Sequence, residues 1–184
     1  MPKVVLVTGM QAAGKSTVAP LLAARLGPPA ATLDGDVFYR GVVAGAEIMT
    51  PSPSAEALRQ LELRYDASAL VAQHYADNGF DFVCSDIILG SHVDRWFSQL
   101  RDVAKYLVVL VPSVESVVRR EVGRGGGNAY RDWQRDGGSL EDAVRAFQPD
   151  VDATPRRGLW IDTSNQTPAE TTAQILADLD RARW

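Results

Sequence analysis

Two adjoining stretches near the start of the chain decide the fold: residues 4–8 (VVLVT) and residues 9–16 (GMQAAGKS). The first is an apolar run of strand length, and the second fits the pattern G-x-x-x-x-G-K-[ST] at every fixed position. In that pattern the glycines let backbone N–H groups point at a phosphate, Lys15 reaches the β- and γ-phosphate oxygens, and the Ser16 hydroxyl can bind Mg²⁺. The sequence therefore predicts a phosphate-binding loop for a nucleotide.

A predicted helix over residues 16–26 (STVAPLLAARL) follows this loop and ends before Gly27. The partial positive charge of the helix N-terminus then adds to the anion-binding character of the loop. The alternative is a glycine-rich turn that only links a buried strand to a helix. The predicted nucleotide-binding residues are Gly9, Met10, Gln11, Ala12, Ala13, Gly14, Lys15, Ser16 and Thr17.

Composition restricts the class of protein. The chain has 184 residues, 46% of them hydrophobic, and a formal net charge of −4. These values predict one globular domain over residues 1–184 and no general attraction to nucleic acid. No stretch approaches membrane-spanning length or a signal-peptide core, so we expect a cytoplasmic protein without a membrane partner. Cys84 is the single cysteine and excludes an intramolecular disulfide. Nothing in the sequence indicates an oligomeric state.

Strands and helices are predicted to alternate along the rest of the chain. Short apolar runs predict strands over residues 31–33, 80–84, 106–111 and 158–161. Helical spacing and end signals predict helices over residues 54–78, 113–122 and 167–182. Alternation of this kind predicts an α/β fold with a parallel sheet, helices on both faces, and ligands beyond the carboxyl ends of the strands.

Residues 123–157 depart from this alternation. The segment holds Gly125-Gly126-Gly127 and, with the helix before it, eight arginines from Arg119 to Arg157. We expect it to be a mobile lid inserted between the last two strands, of the kind that covers substrate and excludes water. The alternative is a solvated surface loop whose arginines pair with its own acidic residues.

Carboxylates follow two of the predicted strands. Asp34 and Asp36 end the second strand, which places them across a crevice from the phosphate-binding loop. If a γ-phosphoryl group is transferred to a hydroxyl, one carboxylate must accept the hydroxyl proton, and we assign that role to Asp36. Asp34 either orients the loop, contacts metal-bound water, or caps a helix over residues 37–43. Asp86 has two open roles, binding Mg²⁺ or binding substrate.

Further candidates for substrate binding lie near these acids. Phe38, Tyr39 and Trp96 are expected close to the crevice, where aromatic side chains favour an uncharged, partly apolar acceptor. Arg40, Arg59 and Arg64 are candidates for contact with an anionic substrate, with solvated helix arginines as the alternative. Asp34, Asp86, Phe38 and Arg40 form the predicted substrate-binding set.

Two arginines precede the predicted lid at helical spacing. Arg120 and Arg124 are four residues apart, so both can face one side and reach a transferring phosphate. Together with Lys15 and Asp36 they form the predicted catalytic set.

Over nearly its whole length the chain resembles the chloramphenicol phosphotransferase-like group of the P-loop kinases. The matching pieces are GMQAAGKS at 9–16, LDGDVF at 33–38, FVCSDIILG at 82–90, RREVGRG at 119–125 and WIDTS at 160–164. The resemblance implies a five-stranded parallel sheet with a lid, ATP and Mg²⁺ as cofactors, Asp36 at the family's proposed base position, and Arg120 and Arg124 in the lid. The departures lie on the substrate side, at residues 49–54 (MTPSPS) and in the glycine-rich lid.

The sequence thus predicts an ATP-dependent phosphotransferase acting on a hydroxyl of a small molecule, an antibiotic or another metabolite. Two alternatives stay open at this point. One is a nucleoside or sugar kinase, which requires cations for a second phosphate or polar groups for a sugar. The other is a nucleotide-binding regulatory NTPase switch without a small-molecule acceptor, which depends little on a base such as Asp36.

Overall fold

The computed structural model describes residues 1–123, 130 and 138–184. The strands are β1 (Lys3–Thr8), β2 (Ala30–Asp34), β3 (Asp81–Ser85), β4 (Ala104–Leu110) and β5 (Leu159–Ile161). They form one parallel sheet in the order β2-β3-β1-β4-β5. The five-stranded parallel sheet predicted from the sequence is confirmed, and every predicted strand overlaps an observed one.

The centre of this sheet is β1, which pairs with β3 on one side and with β4 on the other. Val7 is in register with Ser85 of β3 and with Val108 of β4. β2 and β3 lie on one side of β1, and the later strands β4 and β5 lie on the other. The loop after β1 therefore lies where the strand order reverses. In open α/β sheets ligands bind at that position, beyond the carboxyl ends of the strands.

The helices are α1 (Lys15–Leu26), α2 (Asp36–Gly41), α3 (Ala55–Asp77), α4 (His92–Ser98), α5 (Val114–Gly123), α6 (Leu140–Arg145), α7 (Gln148–Asp152) and α8 (Pro168–Ala177). The helix predicted over residues 167–182 is interrupted, because α8 ends at Ala177 and a 3-10 turn forms Leu179–Ala182. At its start the expected capping box is present between Thr167 and Glu170. Among the described residues, no helix is long and apolar enough to cross a membrane.

Helices cover both faces of the sheet and form a separate core on each. Side chains alternate along a strand, so Val5 and Val7 of β1 pack with α1 and α8, while Val4 and Leu6 pack with α3 and α4. Trp96 belongs to this second core: it is fully buried and donates a hydrogen bond from Nε1 to Ser68 Oγ at 2.8 Å. Its expected position near the crevice is therefore wrong, because α4 directs it towards the sheet.

A third cluster connects the phosphate-binding loop with the described part of the predicted lid. Tyr130, Phe147 and Val151 are buried against Met10 and Ala12 of the loop. Residues 138–157 contain α6 and α7, two short helices that the sequence analysis did not predict. This part of the segment is thus packed on the domain. The expectation of a mobile lid stays a prediction.

Candidate active site

A cleft of about 1050 Å³ opens at the carboxyl ends of the strands. One wall is the phosphate-binding loop with the start of α1. The opposite wall comes from α2, the 42–54 loop, α3 and the segment that follows β3, and α7 closes one side. A cavity of this size lies at the upper end of the range for small-molecule sites. The cleft therefore brings together the loops that the sequence analysis expected to converge.

The phosphate-binding loop has the backbone that its glycines require. Gly9 has φ of 136°, and a Cβ there would lie 2.3 Å from the Leu110 carbonyl oxygen. Gly14 has φ of 102°, and Ala12 is held in the left-handed region at φ 60°. The loop consequently wraps tightly on the end of the sheet, where only glycine fits at position 9.

Lys15 and Ser16 stand at the start of α1, on the cleft side of the loop. Lys15 Nζ donates a hydrogen bond to the Met10 carbonyl oxygen at 2.8 Å, so its side chain folds back across the loop. No side chain of the described residues caps this helix. The start of α1 therefore brings the partial positive charge of a helix N-terminus to the cleft, where an anion can bind, and Thr17 is exposed in the same turn.

Asp34 and Asp36 both line the cleft. Asp34 Oδ1 accepts a hydrogen bond from the Asp36 amide at 3.1 Å, which is how a residue before a helix fixes its start. Asp36 is the first residue of α2, and it is exposed to solvent. This contact fits both the capping role and the orienting role of Asp34, and its predicted part in substrate binding stays a prediction.

Asp86 lies just beyond β3 and is the buried acid of the cleft, with 8% of its surface exposed. Its Oδ1 accepts from the Ile87 amide at 2.7 Å, whereas Oδ2 has no hydrogen-bond partner among the described residues. Burial raises the pKa of Asp86 from 3.8 to about 6, and the negative charge of Asp36 acts in the same direction. The positive charges of Arg64 and Lys15 oppose that shift. These four side chains thus share one electrostatic environment.

Two members of the predicted substrate set lie elsewhere. Phe38 and Arg40 belong to α2, but they are not among the described residues that line the cleft, whereas Tyr39 between them is. A helix of six residues presents only part of its surface to the cleft, and the sequence did not indicate which part.

The sequence analysis indicated only part of the wall opposite the phosphate-binding loop, mainly residues 49–54. Met49 and Pro51 of the 42–54 loop, Leu58 of α3 and His92 of α4 line this wall. Leu58 has the helical spacing of Leu61 and Tyr65 in α3, yet it is 43% exposed. From the sequence pattern alone, an apolar side chain that faces a cleft cannot be distinguished from one that packs in the core.

Arg120 reaches the back of the phosphate-binding loop. Its guanidinium donates to the carbonyl oxygens of Ala12 and Ala13, each at 3.3 Å, and to the Thr163 carbonyl oxygen. Its predicted role on a transferring phosphate stays a prediction, as does that of Arg124, which lies outside the described residues.

The loop, the strand order and the acids opposite define the class of the P-loop kinases. Within that class, a family model described as chloramphenicol phosphotransferase-like protein matches residues 2–180. The chain belongs to this family, whose members are ATP-dependent small-molecule kinases. A search of curated protein sequences found no match.

Solved structures with the same fold include several small-molecule kinases. A sugar kinase from a Janibacter species is 17% identical, with a TM-score of 0.67 over 99% of this chain and 96% of that one. The APS kinase of Mycobacterium tuberculosis, in complex with AMPPNP and APS, is 19% identical, with a TM-score of 0.67 over 97% and 98%. The tunicamycin resistance protein of Deinococcus radiodurans is 18% identical, with a TM-score of 0.63 over 100% and 98%. At these identities the likeness concerns the fold.

Proposed function

We propose that the protein transfers the γ-phosphoryl group of ATP to a hydroxyl of a small molecule, with Asp36 as the general base. The observation that carries this proposal is the shared cleft: Lys15, Ser16 and Asp36 all line one cavity. Phosphoryl transfer depends on positioning a donor and an acceptor in line and on stabilising charge. A donor site and a carboxylate on opposite walls of one cleft meet that requirement.

The donor half fits ATP with magnesium. The backbone of residues 9–14 and the uncapped start of α1 would hold the phosphates, with Lys15 next to them. Among the described residues, no group of three His, Cys, Asp or Glu could hold a metal ion. This fits Mg²⁺, which is usually held by one or two protein oxygens together with phosphate oxygens, and Ser16 with Asp86 or Asp34 offers such oxygens. When bound, magnesium would neutralise charge on the phosphates.

On the acceptor side of the cleft, the Asp36 carboxylate can remove a proton from the hydroxyl. Asp36 is exposed at the start of α2, and the hydrogen bond from its amide to Asp34 fixes the backbone at this point. As the acceptor oxygen attacks the γ-phosphorus, the Asp36 carboxylate takes its proton and the bond to the β-phosphate oxygen breaks. A positioned base of this kind contributes about 10²–10⁴ in rate.

The opposite wall limits the nature of the acceptor. Its apolar side chains come from the 42–54 loop and from α3, including Ile48, Met49, Leu58 and Leu61. Among the described residues, polar side chains lie next to the phosphate-binding loop and, away from it, at Tyr39, Thr50, Arg64, Ser91, His92 and Asp150. An acceptor with a hydroxyl at one end and an apolar part at the other fits this distribution.

Asp36→Asn tests the proposal. The variant should bind MgATP as the wild type does, while phosphorylation of the acceptor falls about 10²–10⁴-fold, followed by mass spectrometry on a panel of hydroxylated antibiotics, nucleosides and sugars. Asp94→Asn, an exposed acid on α4 outside the cleft, serves as the matched control and should keep full activity. Equal transfer by wild type and Asp36→Asn would remove Asp36 as the base.

The same panel addresses the regulatory switch. A wild-type protein that hydrolyses ATP but phosphorylates no member of a broad panel would favour the switch over the kinase. Lys15→Ala cannot make this distinction, because both functions need the phosphate-binding loop.

A further inference from the structure

Arg64 lies on α3 at the edge of the cleft, next to the buried Tyr65. It is half-buried, and its Nε is inaccessible to solvent and without a hydrogen-bond partner. Within the described residues, only one other buried side-chain nitrogen or oxygen lacks a partner, Asp86 Oδ2, and Asp86 lines the same cleft. Native proteins rarely leave such atoms unsatisfied, so each requires an explanation.

Other arginines on and beside α3 are paired. Arg59 is hydrogen-bonded to Glu56 at 2.7 Å, and Arg95 of α4 forms ion pairs of 2.9 Å with Glu62 and Asp66. Arg64, by contrast, has no ion pair or hydrogen bond with any described residue. Acids are thus available on this helix, but Arg64 forms an ion pair with none of them, and its charge acts instead on the buried Asp86 carboxyl of the cleft.

The position of the Arg64 guanidinium is nevertheless defined. Its Cζ lies 4.9 Å from the centre of the Tyr39 ring. Stacking on an aromatic face orients a guanidinium and leaves the in-plane N–H donors of its two terminal nitrogens available to another group, whereas Arg64 Nε is inaccessible. A positioned set of donors at the edge of a cleft is what a ligand oxygen requires.

The charges around Arg64 indicate which kind of ligand oxygen accepts a hydrogen bond from it. The carboxylates of Asp34, Asp36, Asp86 and Asp150 line the same cleft. An anionic acceptor would gain from Arg64 but would be repelled by these groups, and donor phosphates already occupy the surroundings of Lys15 in the proposed reaction. A neutral hydroxyl or carbonyl oxygen accepts from Arg64 without that repulsion. The Asp86 carboxylate, covered by Gly35, acts here through its charge.

We infer that Arg64 is the acceptor-binding residue that selects uncharged acceptors, by donating to a neutral hydroxyl or carbonyl oxygen away from the phosphorylated hydroxyl. This inference rests on the proposed kinase function. Arg64 would then be the residue that binds a polar group of the acceptor next to the apolar wall. This role differs from contact with an anionic substrate, which the sequence suggested for Arg64.

Matched acceptors test the class of compound. The wild type is offered each neutral compound beside an anionic relative that keeps its primary hydroxyl free: glucose and gluconate, glycerol and glycerate, uridine and orotidine. Phosphorylation confined to neutral members supports the inference. Preference for anionic members overturns it while leaving the kinase function in place. Failure to phosphorylate any compound, with ATP still bound, overturns the kinase function and with it the inference.

Variants test the residue. With the best neutral acceptor, Arg64→Gln should raise the acceptor KM about 10- to 100-fold, the effect expected for losing hydrogen bonds from a charged donor. Arg64→Lys keeps the positive charge but loses the planar set of N–H donors. Its acceptor KM should therefore lie between those of the wild type and Arg64→Gln. MgATP affinity, measured by calorimetry without acceptor, should stay unchanged in both and so confirms that the variants fold. Arg59→Gln is the control from the same helix. An unchanged acceptor KM in Arg64→Gln, or an equal rise in Arg59→Gln, overturns the assignment.

Discussion

Gly35 packs directly against the carboxylate of Asp86. A Cβ at position 35 would lie 2.0 Å from Asp86 Oδ2 and 2.2 Å from its Cγ. The Gly35 amide also donates to the Ser85 carbonyl oxygen at 2.8 Å. The turn that carries Asp34 and Asp36 thus rests on the buried acid beyond β3, and the absence of a side chain at position 35 permits this close approach.

Replacement of Gly35 should disturb the site more than the fold. In Gly35→Ala either the Asp86 side chain or the backbone of the turn must move, and overpacking of this kind costs about 1–3 kcal/mol. A shift of about 1 Å in Asp36 can lower transfer about 100-fold. Urea unfolding and the kcat of acceptor phosphorylation measure the two effects.

Gly41→Ala is the matched control for Gly35→Ala. Gly41 is the last residue of α2, the helix that Gly35 precedes, and a Cβ there would have no atom within 4 Å. Because alanine favours a helix over glycine, this variant should unfold at equal or higher urea concentration and keep its activity. A Gly35→Ala protein as active and as stable as Gly41→Ala would show that the contact with Asp86 is unimportant.

Asp86 should make the stability of the protein depend on pH. Burial raises its pKa from 3.8 to about 6, so the folded state holds the proton more tightly than the unfolded chain does. The contribution of the protonated form is therefore fully present below pH ~4 and is lost as pH rises through ~6, an effect of about 3 kcal/mol. Asp86→Asn should remove it. The free energy of unfolding of the variant should rise relative to wild type between pH 4 and pH 7.5.

Urea unfolding at both pH values, in dilute protein without nucleotide, measures this difference. Asp94→Asn again serves as control for the change from aspartate to asparagine, because Asp94 is exposed and lies outside the cleft. If the gap between Asp86→Asn and wild type does not change with pH, the buried carboxyl does not titrate in this window.

The fold was largely predictable because its signals are local. The apolar run of β1, the spacing of Gly9, Gly14 and Lys15, and the alternation of strands with helices each depend on neighbouring residues. The short helices α4 and α7 escaped prediction, since five to seven residues hold too few turns for periodicity. The predicted helix over residues 167–182 was too long, because periodicity does not detect the change to a 3-10 turn.

The phosphate-binding loop and the acids of the candidate site were predictable, whereas the apolar acceptor wall was not. The phosphate-binding loop is a contiguous motif, and Asp34, Asp36 and Asp86 follow strands whose ends must meet at one edge of the sheet. The acceptor wall depends on tertiary contacts of the 42–54 loop, which has no periodic pattern. Arg64 could not be separated from paired arginines such as Arg59, since pairing depends on where each side chain lies in the fold.

Gln60 should control the acceptor wall through the 42–54 loop. Its buried amide accepts from the Glu47 backbone N–H at 3.0 Å and donates to the Gly45 carbonyl oxygen at 2.8 Å. Gln60→Ala removes both bonds, so the acceptor KM should rise about tenfold without a change in MgATP affinity. Hydrogen exchange over residues 43–53 should become faster in the variant.

Gln73→Ala provides the comparison for Gln60→Ala. Gln73 joins the far end of α3 to the backbone of Arg101, away from the cleft. Its loss should lower the free energy of unfolding but leave the acceptor KM unchanged. A similar rise in KM for both variants would mean that α3 as a whole, and not the loop, sets acceptor binding.

The kinetics of an Arg120 variant can distinguish two roles for this residue. Its hydrogen bonds to Ala12, Ala13 and Thr163 indicate support for the phosphate-binding loop, whereas the sequence predicts contact with the transferring phosphate. Support of the loop acts on bound ATP in every state, so its loss weakens binding. Contact with the transferring group acts mainly in the transition state, so its loss lowers kcat.

Arg120→Lys should therefore raise the dissociation constant of MgATP by about tenfold and lower kcat less, because lysine cannot donate to three carbonyl oxygens in fixed directions. Calorimetry with a non-hydrolysable ATP analogue and steady-state kinetics measure the two constants. Arg119→Lys is the control, since Arg119 bonds to Ser116 and Ser164 and does not contact the loop. A large fall in kcat with unchanged nucleotide affinity would instead place Arg120 on the transferring phosphate, which the guanidinium could reach only by leaving the carbonyl oxygens that hold it here.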